Sequence, residues 1–313
     1  MRYNNMSDVE HENNSAKVYD IRYRSLNTPL SPPNSLNAAY TMSIFEIKRG
    51  LRGTWPKVPL ILAGFIVFGF LIQMNSFLSE DAVTFWIGNI EENGPPIGIR
   101  ISLSSMLMPM DGPGAIIILH IAVVSAGLIS GDLKDRAIEL YFSKISILSY
   151  FLSKLIASFF LTLIGLPLFA IFYYLIAIYK RLTLIEDLTT ELSSIFEISW
   201  KLLLTVFVVV LFLSILILVF SAFTSNAVNA GVSFVVFTLV SRVFFEAILF
   251  DATNIDLFYA LSPINAIDVL RRAILEPDDV SDQFLSLSII TTFMYTILSV
   301  TLILYKLYRE KNK

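Results

Sequence analysis

The 313-residue chain contains no cysteine and only two histidines. Disulfides, thiolate zinc sites and cysteine nucleophiles are therefore excluded, because each of them needs a thiol. The two imidazoles, His11 and His120, are far apart in the sequence and do not form a metal-binding set. We assign no catalytic residue, no metal and no cofactor to this chain.

Charge is also scarce. Charged residues make up 16% of the chain and hydrophobic residues 55%, with a mean hydropathy of +0.70. A soluble domain usually has about 25% charged residues, so this composition indicates a polytopic membrane protein. The net charge of −3 gives no reason to expect a nucleic-acid partner. No apolar run lies near the N-terminus, so we expect no cleaved signal peptide and an insertion signal in the first span.

Long apolar runs dominate what is present. A bilayer core of about 30 Å needs about 20 apolar helical residues, and six runs meet that length. We expect all six to be helices, because lipid cannot satisfy an open strand edge. The third run is too long for a straight span and contains Pro167, which predicts a kink or a tilt. The six predicted spans are residues 58–74, 113–130, 150–179, 202–223, 228–250 and 284–307.

The positive charges predict the orientation. Fifteen Lys and Arg residues fall on the side that holds both termini, against six on the other side. By the positive-inside rule, this places both termini in the cytoplasm of a multi-pass cell-membrane protein. Residues 1–39 are rich in Asn, Ser and Pro and are predicted to be a disordered cytoplasmic tail, which leaves residues 40–313 as the membrane domain.

A helical pattern begins just before the first span. Tyr40, Ile44, Ile47 and Leu51 recur at helical spacing, which predicts an amphipathic helix in the inner membrane interface. The alternative, an extension of the first span, is disfavoured by the glycines and proline between residues 50 and 56. The predicted interfacial residues are Ile44, Ile47, Lys48, Arg49, Leu51, Arg52 and Trp55.

A charged segment, residues 131–144, separates the second and third spans. If it is one helix over residues 132–142, Asp132 and Arg136 form an i,i+4 pair of opposite charge. We interpret the segment as a docking helix for a cytoplasmic partner, with Arg136 and Glu139 as charged contacts. The alternative is a solvated loop, which would not need so many apolar side chains. The candidate docking residues are Asp132, Lys134, Asp135, Arg136, Ala137, Ile138, Glu139, Leu140, Tyr141 and Phe142.

This segment carries a family resemblance. Residues 128–144 (LISGDLKDRAIELYFSK), followed by Tyr150 and Lys154, resemble the coupling segment of type-2 ABC transporter permeases. Residues 48–52 resemble the interfacial connecting helix of that family, and residues 261–263 the start of its re-entrant outer hairpin. The likeness covers roughly residues 40–310 and departs at Ile145, where many members have proline.

The resemblance implies the membrane half of an ABC exporter. Two permease subunits would form the path, and a separate ATPase subunit that binds ATP and Mg would dock on the coupling helix. The sequence has no Gly-Lys-Ser or Gly-Lys-Thr, so this chain lacks the phosphate loop that an ATPase needs. The implied fold is all-α, with six spans, an interfacial helix, a coupling helix and an outer re-entrant hairpin before the last span.

Four ionisable residues fall inside predicted spans: His120, Lys154, Arg242 and Glu246. Arg242 and Glu246 share a helix face, either as a polar element of the pathway or subunit interface or as a self-neutralising pair. For His120 the alternatives are a substrate or proton role and a helix–helix hydrogen bond.

Two other classes of function stay open. The first is an intramembrane hydrolase that uses Ser233 and His120. The second is an ATP-independent carrier. The small residues around Ser233 also have a simpler explanation, which is close packing between helices.

Overall fold

The computed structural model describes residues 35–52, 57–58, 61–65, 68, 107, 115–182, 188–275 and 280–312. Within these ranges the chain consists of helices and short turns and has no strand, as the sequence predicts. The helices are α1 (Ser35–Leu51), α2 (Ala115–Val124), α3 (Gly127–Lys134), α4 (Ala137–Phe142), α5 (Ile147–Leu163), α6 (Leu166–Leu182), α7 (Leu188–Phe223), α8 (Ala227–Arg242), α9 (Asp256–Leu261), α10 (Pro263–Leu275) and α11 (Asp282–Lys311).

Local sequence sets several helix starts. The side chains of Ser146, Asn226 and Ser281 accept hydrogen bonds from backbone N–H groups in the first turns of α5, α8 and α11. Ser and Asn suit this position because their oxygens satisfy donors that have no partner within the helix. Pro263 begins α10, where its missing N–H costs nothing.

Within the part of the chain that the structure describes, four stretches are long and apolar enough to cross a membrane: Ala115–Lys134, Ser199–Phe223, Ala227–Thr253 and Asp282–Lys311. A fifth arises if α5 and residues Pro167–Ile176 of α6, which meet at a bend of 45°, form one broken span. The kink predicted at Pro167 is therefore present, since proline clashes with the carbonyl four residues earlier. The first predicted span lies largely outside the described residues, as do residues 1–34 and Trp55.

Helix α7 runs through the middle of the molecule. Two-thirds of its most apolar stretch is buried, whereas the corresponding stretches of α8 and α11 are mostly exposed. Its side chains Val210, Leu213 and Ile217 are fully enclosed in the main apolar core. A second apolar cluster joins α1, α3, α4, α5 and α11 near the C-terminal end of α7.

Small residues let two helices approach closely. A Cβ on Gly231 of α8 would lie 2.8 Å from the carbonyl oxygen of Ala122, so only glycine fits there. Gly127 of α3 faces Ala227 at the start of α8. The close packing predicted for this part of α8 is therefore present.

Two short helices precede the last span. α9 and α10 meet at Ser262 and pack against α11, where the Tyr295 hydroxyl donates to the Leu261 carbonyl over 3.2 Å. α8 continues into a π-helical segment, Val243–Phe250, before this pair. Both elements of this pair are helical.

The charged segment is not one helix, and that prediction is wrong. α3 ends at Lys134 and α4 begins at Ala137, with Arg136 in the left-handed region at φ 52°. In a continuous helix, Asp132 and Ile138 would point roughly 120° apart. The break turns the chain so that both are buried.

Candidate functional site: a buried charge cluster

Three helices bring five polar side chains together at one end of the molecule. Glu46 and Arg49 come from α1, Asp132 from the last turn of α3, and Tyr150 and Lys154 from the first two turns of α5. We call these five residues the charge cluster. Its members are distant in sequence, so it exists only in the folded chain.

Lys154 lies at the centre of the charge cluster. Its Nζ is 2.7 Å from Oε1 of Glu46 and 2.5 Å from Oδ2 of Asp132. Its side chain is 0% exposed. The Nζ also lies 5.1 Å from the centre of the Tyr150 ring, within the range of a cation–π contact. One ammonium thus joins α1, α3 and α5.

The remaining contacts close the network. Nη1 of Arg49 lies 3.2 Å from Oδ1 of Asp132 and 3.6 Å from Oε1 of Glu46. The Tyr150 hydroxyl donates to Oδ2 of Asp132 over 2.8 Å. Two carboxylates face two cations, so the charge cluster is neutral. A buried charge is tolerated only when it is paired in this way.

Packing between α1 and α5 positions the charge cluster. The Ser43 hydroxyl donates to the Ser153 carbonyl over 3.1 Å, and a Cβ on Gly50 would lie 2.9 Å from Cδ1 of Leu161. Contacts therefore advance along both helices together, which means that the two helices run in the same direction. Small residues at this seam allow the approach that lets Glu46 reach Lys154.

The sequence did not identify Glu46 or Ser43 as buried. The pattern of Tyr40, Ile44, Ile47 and Leu51 leaves both off the predicted apolar face, yet both are enclosed. Ile47 and Leu51 are partly buried, whereas Ile44, Lys48 and Arg52 are exposed. A signal was available, because Ala39, Ser43, Glu46 and Gly50 form a helical stripe of small residues interrupted by one acid.

α4 packs its rings on the charge cluster. The Tyr141 and Phe142 rings lie 5.9 Å and 5.4 Å from the Tyr150 ring, and Ile138 is buried beneath them. Burial raises the pKa of Tyr141, and the carboxylates of Asp132 and Glu46 raise it further. The tyrosine therefore stays neutral at physiological pH.

Arg49 keeps its charge although it is half-buried. Burial lowers the pKa of its guanidinium, but Glu46 and Asp132 outweigh that effect, and the net shift is upward. Arg49 is therefore a permanent cation at the edge of the charge cluster.

The structure divides the predicted docking residues into two groups. Lys134, Asp135, Arg136, Glu139 and Leu140 are exposed, and Leu140 is 70% exposed. Ala137, Tyr141 and Phe142 are partly buried, whereas Asp132 and Ile138 are buried. The predicted pair between Asp132 and Arg136 is wrong, because Asp132 bonds to Lys154, Arg49 and Tyr150 instead.

His120 forms a hydrogen bond between helices. Its Nε2 lies 2.8 Å from the carbonyl oxygen of Leu161, where α5 approaches its bend. Ser233 lies two residues after Gly231 in α8, on the opposite face of the helix, and it is exposed. The hydrolase hypothesis needs Ser233 and His120 together, and the fold does not bring them together.

Arg242 and Glu246 form an ion pair with Nε and Oε2 2.8 Å apart, consistent with the self-neutralising interpretation. In α10, Asp268 accepts from Nε of the buried Arg271 over 2.8 Å and lies 3.0 Å from Nη2 of Arg272. These contacts lie within α10 and are separate from the charge cluster.

Among the residues that the structure describes, no group of three or more His, Asp or Glu side chains is arranged to hold a metal ion. The role that the geometry of the charge cluster indicates is structural. It fixes three helices to one another through short, charge-assisted contacts. Comparison with protein-family models, with curated proteins and with solved structures gave no match for this chain.

Proposed function

We propose that this chain is the membrane-spanning permease subunit of an ATP-driven transporter of the type-2 ABC class, which exports its substrate. A separate ATPase subunit docks on the exposed side of α3 and α4. The observation that carries the proposal is the charge cluster, which joins the exposed segment rigidly to α1 and α5.

The exposed side of α4 suits a docking surface. Arg136 and Glu139 offer one charge of each sign, and the exposed Leu140 offers an apolar contact between them. Mixed charges around an apolar anchor are typical of a specific protein interface. The rings of Tyr141 and Phe142 face inward and fix the orientation of that surface.

The charge cluster supports force transfer. A displacement of α4 moves Asp132 at the end of α3, and Asp132 is tied to Lys154 on α5. Because α5 leads directly into the 45° bend, movement at its first turns would change the position of the membrane-buried part. Packed elements with charged contacts move as bodies, which is what coupling requires.

The proposal includes a topology and partners. Both termini, α1 and α4 lie on the cytoplasmic side of the cell membrane, with α1 at the inner interface. α9 and α10 form a hairpin that enters from the outer face. A second permease subunit completes the path, and ATP with Mg binds in the ATPase. The positive-inside distribution of Lys and Arg supports this orientation.

Charge reversal at Glu139 tests the docking surface. Glu139→Lys places a like charge against the ATPase contact, so we expect the amount of co-purified ATPase to fall roughly tenfold or more. Membrane insertion should be unchanged, because Glu139 is exposed and makes no contact in the charge cluster. The measurement is purification from detergent, mass spectrometry of the bound ATPase, and its rate of ATP hydrolysis.

Glu197→Lys is the matched control. Glu197 is 64% exposed on α7 and pairs with Lys201. It lies 24 residues before Ser221, which bonds to α3, so it is about 36 Å away along the helix axis. The Glu197→Lys variant should bind the ATPase as the natural chain does. Normal binding and stimulation by Glu139→Lys, or no ATPase bound by the natural chain, would contradict the proposal.

A further inference from the structure

Four polar atoms without a hydrogen-bond partner lie along the buried face of α5. They are Oε2 of Glu46, Oγ of Ser158, Oγ1 of Thr162 and Nδ1 of His120. Each residue is at most 1% exposed. Buried polar groups are normally satisfied by protein or by ordered water, so four such atoms on one seam need an explanation.

The residues that carry these atoms are arranged along α5. Lys154, Ser158 and Thr162 are spaced four residues apart, so their side chains share one face of α5 over about 12 Å. Glu46 lies at one end, in contact with Lys154. His120 lies at the other end, where a Cβ on Gly165 would be 2.6 Å from its ring.

Hydrogen-bond chemistry defines what can bind along this face of α5. The Leu161 carbonyl can only accept, so Nε2 of His120 must be the donor in their 2.8 Å contact. That carbonyl is available because the N–H of Gly165 donates to the backbone carbonyl of Thr162 at the end of α5 instead. In the neutral ring, Nδ1 is then an acceptor, as is Oε2 of Glu46. The occupant must therefore donate at both ends, which excludes an anion.

We propose that this face of α5 binds a file of ordered water molecules that runs from the charge cluster to the bend beside His120. Water donates and accepts, so it can bridge the two terminal acceptors through the hydroxyls of Ser158 and Thr162. A second cation is disfavoured, because the Lys154 ammonium already occupies one end and its charge is balanced. We call this the hydrated track. It does not depend on the proposed transport function.

Single thiols test the hydrated track directly. The chain has no cysteine, so Ser158→Cys and Thr162→Cys each carry one thiol in an otherwise unreactive protein. The probe is the silver ion, which binds thiols and follows water-filled paths that are too narrow for organic reagents. The readout is loss of later maleimide labelling after denaturation of the membrane-embedded protein.

Ala157→Cys is the control, because Ala157 is fully buried in an apolar cluster on the same helix. A dry position reacts only when the helix opens locally, so we expect both track positions to react roughly tenfold faster or more. Equal rates at all three positions would overturn the proposal.

A second measurement uses the unaltered chain. Radiolysis of bound water by a short X-ray pulse oxidises neighbouring side chains even when these are buried. We expect oxidation of the His120 ring, which is 1% exposed and would contact the file of water, but little at Leu213, which is 0% exposed in the apolar core, when each is normalised to its rate in the unfolded chain. Normalised oxidation of His120 no greater than that of Leu213 would overturn the hydrated track.

Discussion

At the scale of single residues, Lys154 holds the charge cluster together because two carboxylates share its ammonium. Glu46 contacts it from α1 and Asp132 from α3, and the side chain of Lys154 is fully enclosed. Arg49 also approaches both acids but remains 41% exposed. The burial of Lys154 makes its replacement costly, because the acids would stay in the interior with one cation.

Lys154→Met should lower stability by about 3–5 kcal/mol, since it leaves an uncompensated buried charge. The double variant Lys154→Met with Glu46→Gln restores neutrality, because Arg49 and Asp132 still pair. We expect the double variant to regain much of the stability that Lys154→Met loses. The measurement is the thermal unfolding temperature in detergent, followed by tryptophan fluorescence. A double variant as unstable as the sum of its two single variants would contradict this account.

At the scale of elements, the bend between α5 and α6 depends on the room that Gly165 leaves for the His120 ring. Pro167 prevents a regular helix through this point. The Leu161 carbonyl, which the Gly165 N–H leaves free by donating to Thr162, accepts from His120 of α2. A local break and a contact between helices therefore work together to define one broken span.

Gly165→Ala should disturb that arrangement. The added Cβ would lie 2.6–3.0 Å from three atoms of a rigid, buried imidazole ring. Overpacking of this kind costs about 1–3 kcal/mol. Gly127→Ala is the control, because its Cβ would meet Ala227 at an ordinary 3.4 Å. Thermal unfolding should separate the two variants, and a Gly165→Ala protein as stable as Gly127→Ala would show that the bend tolerates a shifted ring.

At the scale of the whole molecule, most of the apolar stretch of α7 is buried, whereas the apolar stretches of α8 and α11 are mostly exposed. The charge cluster and α4 lie at the C-terminal end of α7, where Ser221 accepts from the backbone N–H groups of Ile129 and Ser130. The pair α9 and α10 follows the other end of α8. The proposed orientation therefore assigns opposite sides of the membrane to Leu140 and Ile255.

Leu140→Cys and Ile255→Cys test that assignment. Both side chains are exposed, and the chain has no other thiol. We expect a membrane-impermeant maleimide to label Ile255→Cys in intact cells and Leu140→Cys only in inverted vesicles, because the positive-inside rule places α4 in the cytoplasm. The reverse pattern would overturn the orientation and the docking proposal with it.

The sequence determined much of the helical framework. The apolar runs, the caps at Ser146, Asn226 and Ser281, and the break near Pro167 all act over a few neighbouring residues. Such features depend on the length of an apolar segment, on hydrogen-bond partners for the first backbone N–H groups of a helix, and on the backbone angles that proline allows. Neighbouring residues set all three, so they can be predicted from the local sequence. The candidate site was only partly predictable: Arg49, Asp132, Tyr150 and Lys154 all fall in segments that the sequence singles out, but Glu46 and the contacts among the five residues were not predicted.

Only the tertiary structure decided how those residues combine. Lys154 meets Glu46 across 108 positions of sequence, and Arg49 meets Asp132 across 83. Whether an acid is solvated or buried depends on which cation the fold places beside it, and helical periodicity does not contain that information. The same packing explains why the structure has two helices, α3 and α4, where the sequence predicts one docking helix. Asp132 is buried and Glu139 is exposed.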